Sequence, residues 1–173
     1  MRAAFFVILL SGTYCPPGRP YQKDIAMKKS LFLILIAATL LVSCAPLANS
    51  QLSAARDRWH AANISHYRFN LGVGCFCAFT TRMPLTIEVQ KGRVLSMLYN
   101  DGSPVPADQQ QVFASYQTID ALFDYTAQSL KADEIKIEYD PNYGFPTRVQ
   151  IDFIKQAMDD ELSLSVQDFQ ALP

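Results

Sequence analysis

Tyr67-Arg68-Phe69-Asn70-Leu71-Gly72-Val73-Gly74 decides the fold. Apolar residues fall at every second position, with polar or small residues between them. That is the period of a strand with one buried and one wetted face. The pattern repeats after Pro84, where Leu85, Ile87 and Val89 alternate with Thr86, Glu88 and Gln90. Lys91-Gly92 then makes a tight turn into Val94, Leu95, Met97 and Tyr99. Three further strands follow the same rule: Ile135, Ile137 and Tyr139; then Val149, Ile151 and Phe153 after Pro146; then Leu162, Leu164 and Val166, with Asp159-Asp160 in the turn before them. Strands buried on one face only belong to antiparallel sheets.

Two helical patterns interrupt the strands. Residues 51–62 carry Leu52, Ala55, Trp59 and Ala62 at helical spacing, with Ser50 as the expected N-cap. Thr118 caps the second, whose apolar face is Ile119, Leu122, Phe123, Thr126, Ala127 and Leu130, with Asp120 in the first turn. Residues 100–111 hold Gly102, Pro104, Pro106 and a glutamine run, and read as a loop. The order helix, three strands, helix, three strands predicts an α+β domain: an antiparallel sheet of about six strands with two helices on one face. Pro84-Leu85-Thr86-Ile87-Glu88-Val89 and Pro146-Thr147-Arg148-Val149-Gln150-Ile151 also match, so a repeated helix-plus-three-strand unit is one reading of the pattern.

Upstream of the domain, Lys28-Lys29 precedes an apolar run over residues 31–42 and then Ser43-Cys44. The run has 12 residues, and a membrane-spanning helix needs about 20. A basic start, a short apolar core and small residues before a cleavage point describe a secretory signal. Leu41-Val42-Ser43-Cys44 resembles the bacterial lipobox, in which the cysteine becomes the acylated first residue of the mature chain. Residues 1–26 hold another apolar stretch and Cys15, but Tyr14 spoils a lipobox there; they read as a mis-called start ahead of Met27. The expected division is a signal segment over 1–43, a lipidated tether over 44–50 and a single domain over 51–173. Ala45 after the cysteine resembles an outer-membrane sorting signal. The expected location is the cell envelope, facing the periplasm if the cell is Gram-negative.

Residues 1–43 contain five of the 15 basic and one of the 16 acidic side chains, which leaves the mature chain 10 and 15, a charge of −5. That balance argues against nucleic acid and against electrostatic docking to anionic lipid. Membrane attachment is therefore expected through palmitate-like acyl chains on Cys44.

Only Cys75 and Cys77 then remain. In an extended strand their Cα atoms would lie about 6.6 Å apart, whereas a disulfide usually wants about 5.5–6 Å. A bridge needs bending, which Gly72 and Gly74 permit. Four readings stay open: a structural staple, a strained and therefore oxidising redox pair, a two-thiolate site for a soft metal, and two inert thiols. No second cysteine pair exists to complete a zinc site. His60 and His66 are the only histidines and lack ligand spacing, so a Ser-His-Asp or Cys-His centre has little to build on. No metal, cofactor or catalytic residue is expected. Tyr139-Asp140-Pro141-Asn142-Tyr143-Gly144-Phe145-Pro146 begins like a calcium loop, but Gly144 falls one position early and Ile151 stands where the glutamate belongs. Asp140 capping a turn is the simpler reading. Tyr139, Asp140, Tyr143 and Phe145 are the binding candidates, with the two aromatics forming a patch if the turn leaves them exposed.

Tyr67-x-Phe69, Cys75-x-Cys77, Leu85-x-Ile87-x-Val89-x-x-Gly92, Thr118-Ile119-Asp120-x-Leu122-Phe123, Tyr139-Asp140-Pro141-x-x-Gly144-x-Pro146 and Ile151-Asp152 occur in that order. Together they resemble the bacterial secreted and lipoprotein family called domain of unknown function 6174, over about residues 59–168. The resemblance implies no activity, cofactor or catalytic residue. It marks Cys75, Cys77 and the 139–146 turn as signature positions.

The expected function is a non-enzymatic, membrane-proximal interaction module for an envelope protein or a small ligand. The alternative is a thiol-disulfide accessory built on Cys75 and Cys77. If the lipobox reading is right, intact-mass analysis of membrane-extracted protein will find a chain that begins at acylated Cys44. An unmodified N-terminus upstream of residue 44, or unchanged attachment of Cys44→Ala, would refute it.

Overall fold

A computed structural model describes residues 45–173 of the chain; the signal segment and Cys44 lie outside the described residues. Helix α1 (Ala45–Ala61) leads into β1 (His66–Gly74). A hairpin of β2 (Leu85–Gln90) and β3 (Arg93–Leu98) follows. The short α2 (Ala107–Gln110) and a 3-10 turn (Gln111–Phe113) precede α3 (Ile119–Ser129). Strands β4 (Glu134–Tyr139), β5 (Pro146–Asp152) and β6 (Glu161–Ala171) complete the chain. The sheet order is β3-β2-β1-β6-β5-β4, with every neighbouring pair antiparallel. The expected α+β class is therefore what forms, and the first and last strands pair at its centre.

The alternation that predicts the strands also sets the core. Tyr67, Phe69, Leu71 and Val73 are buried with Leu85, Ile87 and Val89, with Leu164 and Val166, and with Leu52, Trp59, Ile119, Leu122 and Phe123 of the helices. Thr118 Oγ1 accepts from the Ala121 amide at 3.1 Å, as an N-cap should. The hydroxyl oxygen of Tyr67 accepts from the Ile119 amide at 3.1 Å, so β1 supplies a second cap to the same helix. Burial pushes the Tyr67 phenol up to about 12.

Several expectations are corrected. Residues 45–50, expected as a tether, belong to the helix, so Ser50 lies within α1 instead of capping its start. A proline in a first helical turn, here Pro46, gives up an amide that lacks a helical partner anyway. Six residues then rise about 9 Å instead of the 20 Å or so of extended chain. The 100–111 loop contains α2 and buries Val105. On α3, Ala127 is exposed and Ser129 is buried, its hydroxyl donating back to the Tyr125 carbonyl at 2.9 Å. Phe153 lies just past β5 and is 37% exposed.

Three register shifts account for other departures. Between β2 and β3, Glu88 pairs with Ser96 but Val89 pairs with Val94, so Leu95 is the extra residue and points outward. Thr147 is extra in β5, between the pairs Glu138 with Arg148 and Tyr139 with Pro146. The third lies between Arg68 and Asn70 of β1, where β6 carries Asp168 at φ +50. That conformation is open to Asp more than to most residues, and Asp168 also accepts from Asn70 Nδ2 at 2.7 Å. The bulge turns Phe169 inward, 5.8 Å from the Trp59 ring, 5.6 Å from Tyr67 and 4.6 Å from Phe145.

The repeated-unit reading does not survive the strand order. β1 is central and β4 is at an edge, so the two triplets do not occupy equivalent places. The loop after β1 and the turn after β4 consequently leave opposite ends of the sheet.

Leu122→Ala, Phe123→Ala and Ile151→Ala should each cost about 2–5 kcal/mol in chemical denaturation, because each empties a buried site. Gln150→Ala, on the wetted face, should change stability by less than about 0.5 kcal/mol. Equal losses at both kinds of position would mean the faces are misassigned.

His66 gives a pH signature. Its Nδ1 lies 2.9 Å from the Pro173 carbonyl oxygen and its Nε2 lies 2.9 Å from Glu88 Oε1. Both partners are acceptors, so the doubly protonated ring satisfies both at once. The hydrogen bond to Pro173, then that to Glu88, hold the imidazole above its ordinary 6.5. A raised folded value stabilises the fold fully below 6.5, and that contribution is lost as pH rises through the folded value. Between about pH 6 and pH 9, the urea midpoint of wild type relative to His66→Gln should fall as pH rises above 6.5. An unchanged profile in that variant would refute it.

Candidate functional site

The residues singled out in the sequence divide between the two ends of the sheet. At one end, Asp140 organises the 139–146 turn. Its carboxylate accepts from the amides of Asn142 and Tyr143 at 2.9 and 2.7 Å. Its own amide donates to the Phe145 carbonyl and its carbonyl accepts from Gly144, at 2.8 and 3.0 Å. Gly144 has φ +84, and a Cβ there would sit 2.5 Å from the Ala55 carbonyl oxygen of α1. Phe145 is 2% exposed and packs edge-on against Trp59. Tyr143 and Tyr139 are half-buried against the same core. The exposed aromatic patch considered for this turn is therefore not formed: Phe145 points inward and anchors the turn on α1. Burial raises the Tyr139 phenol, whose oxygen has no protein partner.

The cysteines lie at the other end. Cys75 and Cys77 form a disulfide with Cα atoms 5.2 Å apart. The chain bends to allow it, and the Cys77 amide donates to the Cys75 carbonyl at 2.8 Å. Phe76, between them, is 85% exposed. The Cys77 carbonyl then accepts from Thr80 Oγ1 at 2.9 Å, which starts the 3-10 turn Thr80–Arg82. With both thiols in one bridge, neither is free to ligate a metal, and the bridge fits the staple and the redox readings alike.

Beside this loop is a hollow of about 330 Å³, walled by Phe79, Tyr99, Val112 and Phe113, with Arg82 and Gln109 at its polar side. Phe79 and Phe113 meet edge-on at 5.1 Å. The Arg82 guanidinium lies 3.3 Å from the Tyr99 ring centroid, a cation–π arrangement. Its Nη2 also donates to Ser103 Oγ at 2.9 Å. The Ser103 hydroxyl and amide, with Arg82 nearby, hold the Asp101 carboxyl below the usual carboxylate range. Tyr99 donates its hydroxyl hydrogen to Gln109 Oε1 at 2.6 Å. An apolar cavity with a few fixed polar groups suits a small ring or an apolar side chain.

This hollow was not among the expected sites. Tyr99 reads only as core, Phe79 and Arg82 sit in a loop, and Gln109, Val112 and Phe113 fall in or beyond a stretch read as irregular. The one hint in the sequence is the large apolar Phe113 beside a glutamine run.

The two histidines sit at the end opposite the disulfide. His60 lies 3.0 Å from Asp120 at the start of α3, and His66 is held by Glu88 and Pro173. The geometry therefore brings neither histidine to a cysteine. Among the described residues, no group of three His, Cys, Asp or Glu side chains is placed to hold a metal ion.

A family model described as a family of unknown function (DUF6174) matches residues 51–171. Neither a curated protein nor a solved structure matches the chain.

Proposed function

The chain belongs to DUF6174, a family of unknown function, and we propose that it is a non-enzymatic binding module tethered to a bacterial envelope membrane through Cys44. In a Gram-negative cell it would face the periplasm from the outer membrane. The observation that carries the binding role is the aromatic hollow of Phe79, Tyr99, Val112 and Phe113 beside the disulfide-closed loop. The bridge fixes the chain just ahead of Phe79, one wall of the hollow, and so reduces the ordering entropy that a ligand must meet. The occupant would be a small apolar ring, free or carried by an envelope protein. The engagement of both histidines at the far end is consistent with binding rather than acyl-transfer chemistry.

The test uses protein extracted from membranes and read by native mass spectrometry and by crosslinking in intact envelope. Val112→Arg places a charge at the mouth of the hollow from a side chain that is 53% exposed, so the fold should stand. It should abolish capture. Replacing Cys75 and Cys77 together by Ser should weaken capture while the far-ultraviolet spectrum is kept. Unchanged capture in both variants would remove the hollow from the function. Catalytic reduction of a substrate disulfide by the purified protein would promote the thiol-disulfide alternative instead.

A further inference from the structure

We infer that the disulfide end of the sheet rests on the surface of a phospholipid bilayer, with Phe76, Ile154 and Met158 as its contact points. The inference rests on the proposed membrane tether and adds an orientation to it. The direction of α1 is the first observation. Arg56 bonds Asp124 at 2.7 Å and His60 meets Asp120 at 3.0 Å, so α1 and α3 run antiparallel. α3 starts beside Tyr67, near the start of β1, and finishes just before β4. The start of β4 pairs with the end of β5, at the disulfide end of the sheet. α1 therefore starts at that end. Leu52 is buried, and the seven positions back to Ala45 carry the helix outward by about 10 Å at 1.5 Å each. The apolar run over residues 31–42 and Cys44 immediately precede Ala45 in sequence, so either form of attachment enters here.

The second observation is independent of the first. Phe76 is 85%, Ile154 55% and Met158 89% exposed, with Phe153 beside them at 37%. All four lie in two connections, the loop after β1 and the turn between β5 and β6. Gly74 pairs with Ser163 and Asp152 pairs with Glu161, so these connections leave the same end from neighbouring parts of the sheet. Large side chains exposed together need a cover, and the chain's own route to the membrane supplies one. The β5–β6 turn also carries Asp159 and Asp160 against Lys155. Attraction to anionic headgroups is therefore not the driver; the contact is apolar, and it depends on the tether to hold it.

The test is depth-dependent quenching. Met158→Trp and Ile154→Trp are compared with Asn142→Trp, an exposed position at the opposite end. Each full chain, extracted as the cell processes it, is reconstituted in phosphatidylcholine vesicles containing brominated acyl chains. Trp59 is buried and contributes a common background. The 154 and 158 variants should lose fluorescence and the 142 variant should not, with or without anionic lipid. Vesicle-attached protein with no quenching at 154 and 158 would overturn the orientation and leave the tether standing. Dimers in sedimentation together with that result would assign this end to a second copy. Protein that fails to float with vesicles would overturn the orientation together with the tether itself.

Discussion

Tyr67 is the residue on which the other elements converge. Its ring is 5.4 Å from Trp59 of α1, 6.0 Å from Phe69 and 5.6 Å from Phe169 of β6. Its hydroxyl oxygen meets the first amide of α3. One side chain thus fixes both long helices over the central strand pair. The phenol suits this because its body is apolar and its tip is polar. Phenylalanine would keep the packing and leave the Ile119 amide buried without this partner, a loss of about 1–3 kcal/mol.

The two ends of the sheet are built for different ends. At the Tyr67 end, Trp59, Phe145 and Phe169 interlock, the 139–146 turn is closed by Asp140, and His66 ties the last residue to β2. Most polar and aromatic groups there have partners inside the protein, the Tyr139 hydroxyl being an exception. The disulfide end is the reverse: its loops expose Phe76, Ile154 and Met158, and a hollow stays open between Phe79 and Tyr99.

The strands and the α3 cap were legible because they depend on short-range periodicity. The alternation from Tyr67 to Val73 and the placing of Thr118 need only neighbours in sequence. What was hidden depends on partners far along the chain. Phe169 faces inward only because Asp168 takes the bulge opposite Arg68 and Asn70, and nothing in the sequence around Asp168 announces that pairing. Leu95 lies outward for the same kind of reason. The repeat suggested by Pro84 and Pro146 was a local likeness, which the pairing of β1 with β6 overrode. The hollow draws on residues 79–82, 99 and 109–113, three stretches that only the fold brings together. The disulfide was one of four readings of Cys75 and Cys77, because an extended pair at that spacing bridges only where the chain bends, as it does here.

The central pairing of β1 with β6 also orders events during synthesis. Gly74 ends β1 and Ser163, its partner, lies about 90 residues later. At 5–20 residues per second that gap is on the order of ten seconds. Until β6 emerges, β1 has β2 on one side and an open row of backbone groups on the other, the arrangement that recruits foreign strands. A chain that emerges in this order exposes the edge of its central strand while its closing strand is still unmade. Closure of the sheet is therefore timed by the emergence of β6, and the interval before it is when the edge of β1 is open to foreign strands.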